Sequence, residues 1–155
     1  KKEGATAFPF TAKERLGRKE GAFPEAMMFN FPETSDEGKE SETHFECILE
    51  RNGYVLALAF PLTGRQHQIR AHAAHHGYPL LGDKIYNGDP RVFMRFKDNA
   101  ATDEDHALKI LYKGKPTHFI APLPKDLTSW IGENLGMSFP EVEKLMEEKI
   151  LKFLS

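Results

Sequence analysis

The spacing of apolar and polar positions changes character along the chain. Across Glu42 to Glu50, Thr43, Phe45, Cys47 and Leu49 alternate with His44, Glu46 and Ile48. A period of two lays one face of a strand on a core. Tyr54 to Leu62 is nearly all apolar, which predicts a buried central strand. Arg51-Asn52-Gly53 joins the two, and Asn-Gly is a strong hairpin turn signal. Thr63-Gly64 ends the second strand. A short helix is then predicted from about Gln66 to His76, with Gly77 as its stop. Pro79 keeps the chain extended into Leu80-Leu81, and Gly82-Asp83 turns it again, with Asp83 able to close that turn through its side chain. Tyr86 is expected to pack its ring and keep its hydroxyl in water.

The flanks are less regular. Lys1 to Gly38 reads as a loop-rich lead-in. Its short apolar pieces are broken by Pro9 and Pro24, a short strand is expected within Met27 to Phe31, and Pro32 to Gly38 is acidic loop. The basic Lys13 to Lys19 cluster, with Arg15 and Arg18, reads as solvated loop or as a phosphate contact. Gly88 to Phe96 suits an amphipathic turn, and strands are expected at Leu108 to Tyr112 and Thr117 to Ala121. Helical segments close the chain at Asp126 to Gly136 and Phe139 to Leu154. Ser138 suits the cap of the last one, and Val142, Leu145, Met146, Ile150, Phe153 and Leu154 form one apolar stripe, expected to cover the sheet. These elements predict an α+β fold, a mainly antiparallel mixed β-sheet flanked by helices. Residues 1–155 are expected to form a single domain: lead-in 1–38, core 39–127 and C-terminal helices 128–155.

Composition narrows the function less than the pattern does. The chain has 155 residues, and its 21 Lys and Arg against 23 Asp and Glu give a net charge of −2. Whole-chain electrostatics therefore do not announce a nucleic-acid binder, and any such affinity must come from a local patch. No apolar run approaches a membrane span. The one cysteine, Cys47, excludes an internal disulfide and fits a reducing, cytoplasmic setting; its alternating strand position suits a small core residue.

Candidate chemistry concentrates in Thr63 to Tyr86, where two arginines, four histidines and two glutamines surround one helix. Arg65 falls at the helix start, among backbone N–H donors and the positive dipole end that suit a phosphate. Gln68 can read a base edge or an amide, and Arg70 can fork onto a carboxylate or phosphate. Along the helix, Ile69, Ala73 and His76 share one face, and Arg70, Ala74 and Gly77 the next. The residue types leave two readings open: an anion or nucleic-acid site, or a solvated helix with its arginines in water. His72 and His76, one turn apart, could share a metal, but no H-E-x-x-H, cysteine pair or third ligand accompanies them.

The string T-G-R-Q-H-Q-I-R-A-H, followed by H-H-G-Y-P-L-L-G-D-K-I-Y, resembles the C-terminal signature of the RluA-type pseudouridine synthases. Lys39 to Glu50, Asn87 to Phe96 and Ala121 to Leu127 resemble further family segments, so the likeness runs from about Lys39 to Leu127. It implies an RNA pseudouridine synthase that isomerises uridine to pseudouridine in structured RNA, rRNA or tRNA, without metal or organic cofactor. Arg70 matches the family arginine that pairs with the catalytic aspartate. Arg65 is expected to grip phosphate, and His67 and Gln68 to lie near the RNA or support the arginine. The family's H-R-L-D-x-x-T-S-G and K-x-Y-x-A segments are absent from these residues, and Asp83 does not match the nucleophile. The chain is thus expected to be the C-terminal portion of a catalytic domain, inactive alone, and a monomer. The segment before A-P-L-P is shorter than usual, with Leu108 and Ile110 as candidates to face the base. The alternatives are a non-catalytic RNA-binding remnant of the same fold and, behind it, a histidine-metal hydrolase.

Overall fold

The computed structural model describes residues 1–87 and 125–154. The elements are β1 (Phe10–Ala12), β2 (Arg15–Gly17), β3 (Phe29–Phe31), β4 (Thr43–Arg51), β5 (Tyr54–Pro61), α1 (Gln68–His75), α2 (Lys125–Leu135) and α3 (Phe139–Leu154). The fold is α+β. Asn52 and Gly53 adopt φ of 53° and 77°, the paired positive values of a tight hairpin turn, so the β4–β5 hairpin forms where the sequence places it. The strands expected beyond Gly88 lie outside the described residues.

The three-stranded sheet has the order β1-β4-β5. Its centre is therefore β4, and among the described residues the apolar β5 lies at an edge. The central place of β4 is non-local in origin: β1 pairs antiparallel along it, with Phe10 opposite Phe45 and Ala12 opposite Thr43. Cys47 is only half-buried, so the expected core position is met in part. The lead-in is more ordered than its sequence suggests. β2 and β3 form a second antiparallel pair, Leu16 opposite Asn30, and Leu16 exchanges two backbone hydrogen bonds with Lys39. β3 falls within the strand expected at Met27 to Phe31, while β1 and β2, of three residues each, are too short to show a period.

The described residues group into two compact units, one holding 1–47 and 57–87, the other 48–56 and 125–154. In the first, α1 uses alanines for contact. Ala73 joins Ala12 and Phe45, while Ala71 joins Leu16 and Tyr86. The helix ends where Gly77 (φ 91°) permits a Schellman arrangement, with Tyr78 N–H on the Ala73 carbonyl and Gly77 N–H on that of Ala74. A Cβ on Gly77 would meet Ala5 Cβ at 2.7 Å, so the position needs glycine twice over.

In the second unit, Ile131, Leu135 and Val142 form a core with Leu49 and Leu56 of the hairpin. At the start of α3 Glu141 supplies the carboxylate half of a capping box, Ser138 N–H and Oγ both donating to Glu141 Oε2 at 2.8 and 2.6 Å. Among the described residues, no helix is long and apolar enough to cross a membrane.

Candidate functional site

The entry into α1 is built by Gln68. Its side chain is 4% exposed. Nε2 donates to the Glu42 carbonyl and to Thr43 Oγ1, both at 2.9 Å. Oε1 accepts from Thr63 Oγ1 at 2.8 Å and from the Arg65 N–H at 2.9 Å. Two donors and two acceptor sites exhaust an amide. Of the partners its type suits, a base edge or an amide, Gln68 here takes backbone amide groups and clamps the loop before α1 to β4. Helix α1 starts two residues later than Gln66 because His67 adopts a left-handed φ of 55°. Arg65 stays exposed, its Nε donating to the Glu40 carbonyl at 2.9 Å, and no hydrogen bond engages its Nη groups among the described residues.

Arg70 forks onto a carboxylate as its chemistry allows, and the carboxylate is Asp83. Nε lies 2.7 Å from Oδ2 and Nη2 2.9 Å from Oδ1. The arginine side chain is 14% exposed and that of Asp83 0%. Asp83 also closes its turn, as the sequence suggests: Oδ1 accepts the N–H groups of Ile85 and Tyr86 at 2.9 and 3.0 Å. Burial pushes the Asp83 carboxyl up, but the Arg70 fork and those two N–H donors outweigh it and hold the group below the usual carboxylate range. The same hydrogen bond to Asp83 raises Arg70, which is cationic throughout.

The Tyr86 ring lies under the guanidinium, 5.1 Å from its carbon, a cation–π distance. Tyr86 is 6% exposed. Its hydroxyl accepts the Met28 N–H at 2.8 Å and lies 3.2 Å from His67 Nδ1, which corrects the solvated hydroxyl expected from sequence. Burial raises the phenol. Burial, then the charge of Arg70, holds His67 below its ordinary value, so it is neutral near pH 7. His67 thus lies against the ring that underlies the guanidinium.

His72 and His76 part company. His72 is fully buried, with Nδ1 2.9 Å from Thr43 Oγ1 and Nε2 within 3.1 Å of both Ser41 Oγ and the Glu14 carbonyl. Burial lowers its pKa, partly countered by that carbonyl. His76 sets Nδ1 on Thr6 Oγ1 at 2.9 Å and Nε2 3.2 Å from both Glu14 carboxylate oxygens. Both rings are thereby committed within the protein. Among the described residues, no group of three or more His, Cys, Asp or Glu could hold a metal.

A cleft of about 400 Å³ lies apart from this chemistry, lined by Thr11, Glu14, Asn30 and His75 among others; neither Arg70 nor Asp83 lines it. The Arg70–Asp83–Tyr86 arrangement is what the sequence reading missed as a unit. Each residue was visible in its motif, but the 13-residue separation of the ion pair hides their contact. The available signal was an arginine on a helix rich in alanine, which needs a buried acceptor if that face packs.

The sequence pattern of the RNA pseudouridylate synthase family matches residues 2–75. It thus begins within the lead-in that the sequence likeness left uncovered. An "Uncharacterized RNA pseudouridine synthase" of Chlorobaculum parvum is 34% identical over 132 residues, 76% of this chain and 39% of its own length. "Ribosomal large subunit pseudouridine synthase D" of Xylella fastidiosa is 39% identical over 109 residues, 61% of this chain and 32% of its own. The chain therefore spans about a third to two-fifths of the length of these relatives. Among solved structures, "Human RNA Pseudouridylate Synthase Domain Containing 1" is similar at 26% identity and a TM-score of 0.47, over 57% of this chain and 38% of that one.

Proposed function

Since the chain belongs, through its N-terminal region, to the RNA pseudouridylate synthase family and its RluA-type branch, we propose that it forms part of an enzyme isomerising uridine to pseudouridine in structured RNA. Ribosomal or transfer RNA is the substrate class. The observation that carries the reading is the Arg70 guanidinium, fixed on Asp83 at its Nε and Nη2 side with Nη1 engaged by no hydrogen bond among the described residues. That remaining side suits the carboxylate of a catalytic aspartate.

In the reaction the uridine leaves its stack. The bond from the ribose to the base nitrogen breaks, the base turns, and a bond to its C5 carbon forms while the C5 proton is lost to solvent and the freed nitrogen takes up a proton. The aspartate is supplied by an H-R-L-D-type segment that these 155 residues do not contain, so the chain by itself is inactive. Arg70 keeps that aspartate ionised and aimed. Arg65, whose Nη groups no hydrogen bond engages among the described residues, takes an RNA phosphate. Gln68 and His67 act behind them as supports. The chemistry calls for no metal or organic cofactor. The protein works as a monomer in the cytoplasm, which size-exclusion chromatography and localisation of a tagged complete protein test.

Tritium release from RNA carrying 5-tritiated uridine tests the activity in the complete protein. Arg70→Ala is expected to lower turnover far more than RNA affinity. RNA binding without release by the wild type would replace this reading with that of a non-catalytic RNA-binding protein. Equal loss of turnover and affinity would remove Arg70 from the role given to it.

A further inference from the structure

We propose that Asp83 is a positioning residue: by clamping the Nε and Nη2 side of Arg70, it aims the Nη1 side at the anionic partner of the site. The inference rests on the reading of Arg70 as the arginine that orients a catalytic carboxylate.

Three constraints converge on one guanidinium. Asp83 holds an edge, with contacts of 2.7 and 2.9 Å. The Tyr86 ring supports a face, 5.1 Å from the guanidinium carbon. Both holders are themselves fixed. Asp83 is tied by the N–H groups of Ile85 and Tyr86, and the Tyr86 hydroxyl by the Met28 N–H and His67. A planar fork gripped on one edge and one face has a defined direction for its remaining donors. Asp83 is unsuited to attack a substrate itself, because its side chain has no exposed surface.

The pairing also changes what Arg70 offers. With its charge balanced by Asp83, Arg70 acts on a second carboxylate through directed hydrogen bonds more than through net charge. Among the described residues, the charged or titratable groups around it are Asp83, Tyr86 and His67, with Arg18 acting on His67. Removing the Asp83 charge leaves more of the arginine's field to the second carboxylate, which then ionises at lower pH.

The test uses the complete protein. Asp83→Asn keeps an oxygen for the Ile85 and Tyr86 N–H groups but loses the charge and one arm of the fork. It is expected to lower kcat on the order of 10- to 100-fold, leave KM nearly unchanged, and move the acidic limb of kcat to lower pH. A purely structural role would lower the folded fraction and leave that limb in place. Wild-type kcat and limb in Asp83→Asn would overturn the proposal. If Asp83→Asn does not fold, Arg70→Lys decides: it keeps the charge and loses the fork, so kcat should fall as far as in Arg70→Ala, and a wild-type kcat would overturn the aiming role. If the wild type releases no tritium, the activity reading fails by itself. Side-chain NMR of nitrogen-15-labelled protein then decides the positioning: Arg70 Nη signals resolved in the wild type and averaged in Asp83→Asn (or its Asp83→Glu counterpart) support it, and unchanged signals overturn it.

Discussion

Helices α1 and α3 bury opposite kinds of side chain. Over eight residues α1 buries Gln68 and His72 beside Ala71 and Ala73. Over sixteen, α3 buries Val142 and half-buries Leu145 and Met146. The first is held by polar atoms that each have a partner, the second by apolar area. Apolar packing tolerates substitution if volume is kept. A buried polar network is all-or-none: satisfied, it fixes directions, and half-satisfied, it costs the full desolvation of the orphan. A site that must aim an arginine needs the first kind of helix. A helix that only covers a hairpin needs the second.

The largest expected effect tests the polar side of this contrast. Asp83→Ala strands the nearly buried Arg70 without its counter-charge, which should cost about 3–5 kcal/mol, read as a lower urea midpoint by far-UV circular dichroism. A cost below about 1 kcal/mol, the range of exposed ion pairs, would mean that water replaces the carboxylate and that α1 is no more committed than α3. On the apolar side, Ile131→Ala removes a side chain that is 1% exposed and should cost about 2–4 kcal/mol. Trp130, the chain's single tryptophan, packs in that same cluster, so its fluorescence follows the loss. Ile131→Val should cost only about 1 kcal/mol; an equal cost for both would contradict a core that answers to volume.

Acid should separate the two kinds of packing. His72 is held below its ordinary pKa by burial, so the unfolded chain binds its proton first. Its contribution is full above the unfolded value of about 6.5 and is lost as pH falls below it. Asp83 is also depressed. Its contribution is full above an unfolded value of about 3.9 and drains as pH falls through the lower folded value. Urea midpoints from pH 8 to 3 should therefore fall in two stages, with the upper stage, which His67 shares, reduced in His72→Gln. A single stage below pH 5, in the wild type as in the variant, would show that His72 titrates normally.

The legible parts of the molecule are those whose logic is local. The hairpin, the stop at Gly77 and the Ser138–Glu141 cap are written in a period of two, a glycine needing positive φ and a four-residue box. The signature string made the arginines and the family legible. What stayed hidden depends on residues far apart. β1 reaches β4 across 33 positions at the Thr11–His44 pair, which puts β4 at the centre of the sheet. Gln68, whose type suits a base edge or an amide, bonds Thr43 across 25. Residue type says that an amide or a guanidinium can make directed bonds; only the fold says with whom. The inward turn of Gln68 and His72 also defeats an amphipathic reading, since periodicity counts apolar side chains and these are polar.

The smallest expected effect concerns a polar detail inside the apolar unit. Helix α2 ends at Gly136, whose φ is 62°, and its last carbonyls are taken by the hairpin turn: Arg51 Nη1 donates to Leu135 O and Asn52 Nδ2 to Asn134 O, both at 2.9 Å. Two costs are therefore combined in Gly136→Ala. One is the left-handed backbone, about 1–2 kcal/mol for a residue with a Cβ. The other is the approach of that Cβ to Arg51 Nη1, 2.7 Å in an ideal geometry. Arg51 is the flexible end of a long side chain, so the second cost is paid by moving it and giving up the bond to Leu135 O. Arg51→Ala alone gives up the same bond, at about 1 kcal/mol. The double variant should then cost less than the two singles added, because the bond can be lost only once. Strict additivity in Tm or urea midpoint would mean that Arg51 and Gly136 act independently, and that the end of α2 depends on backbone conformation alone.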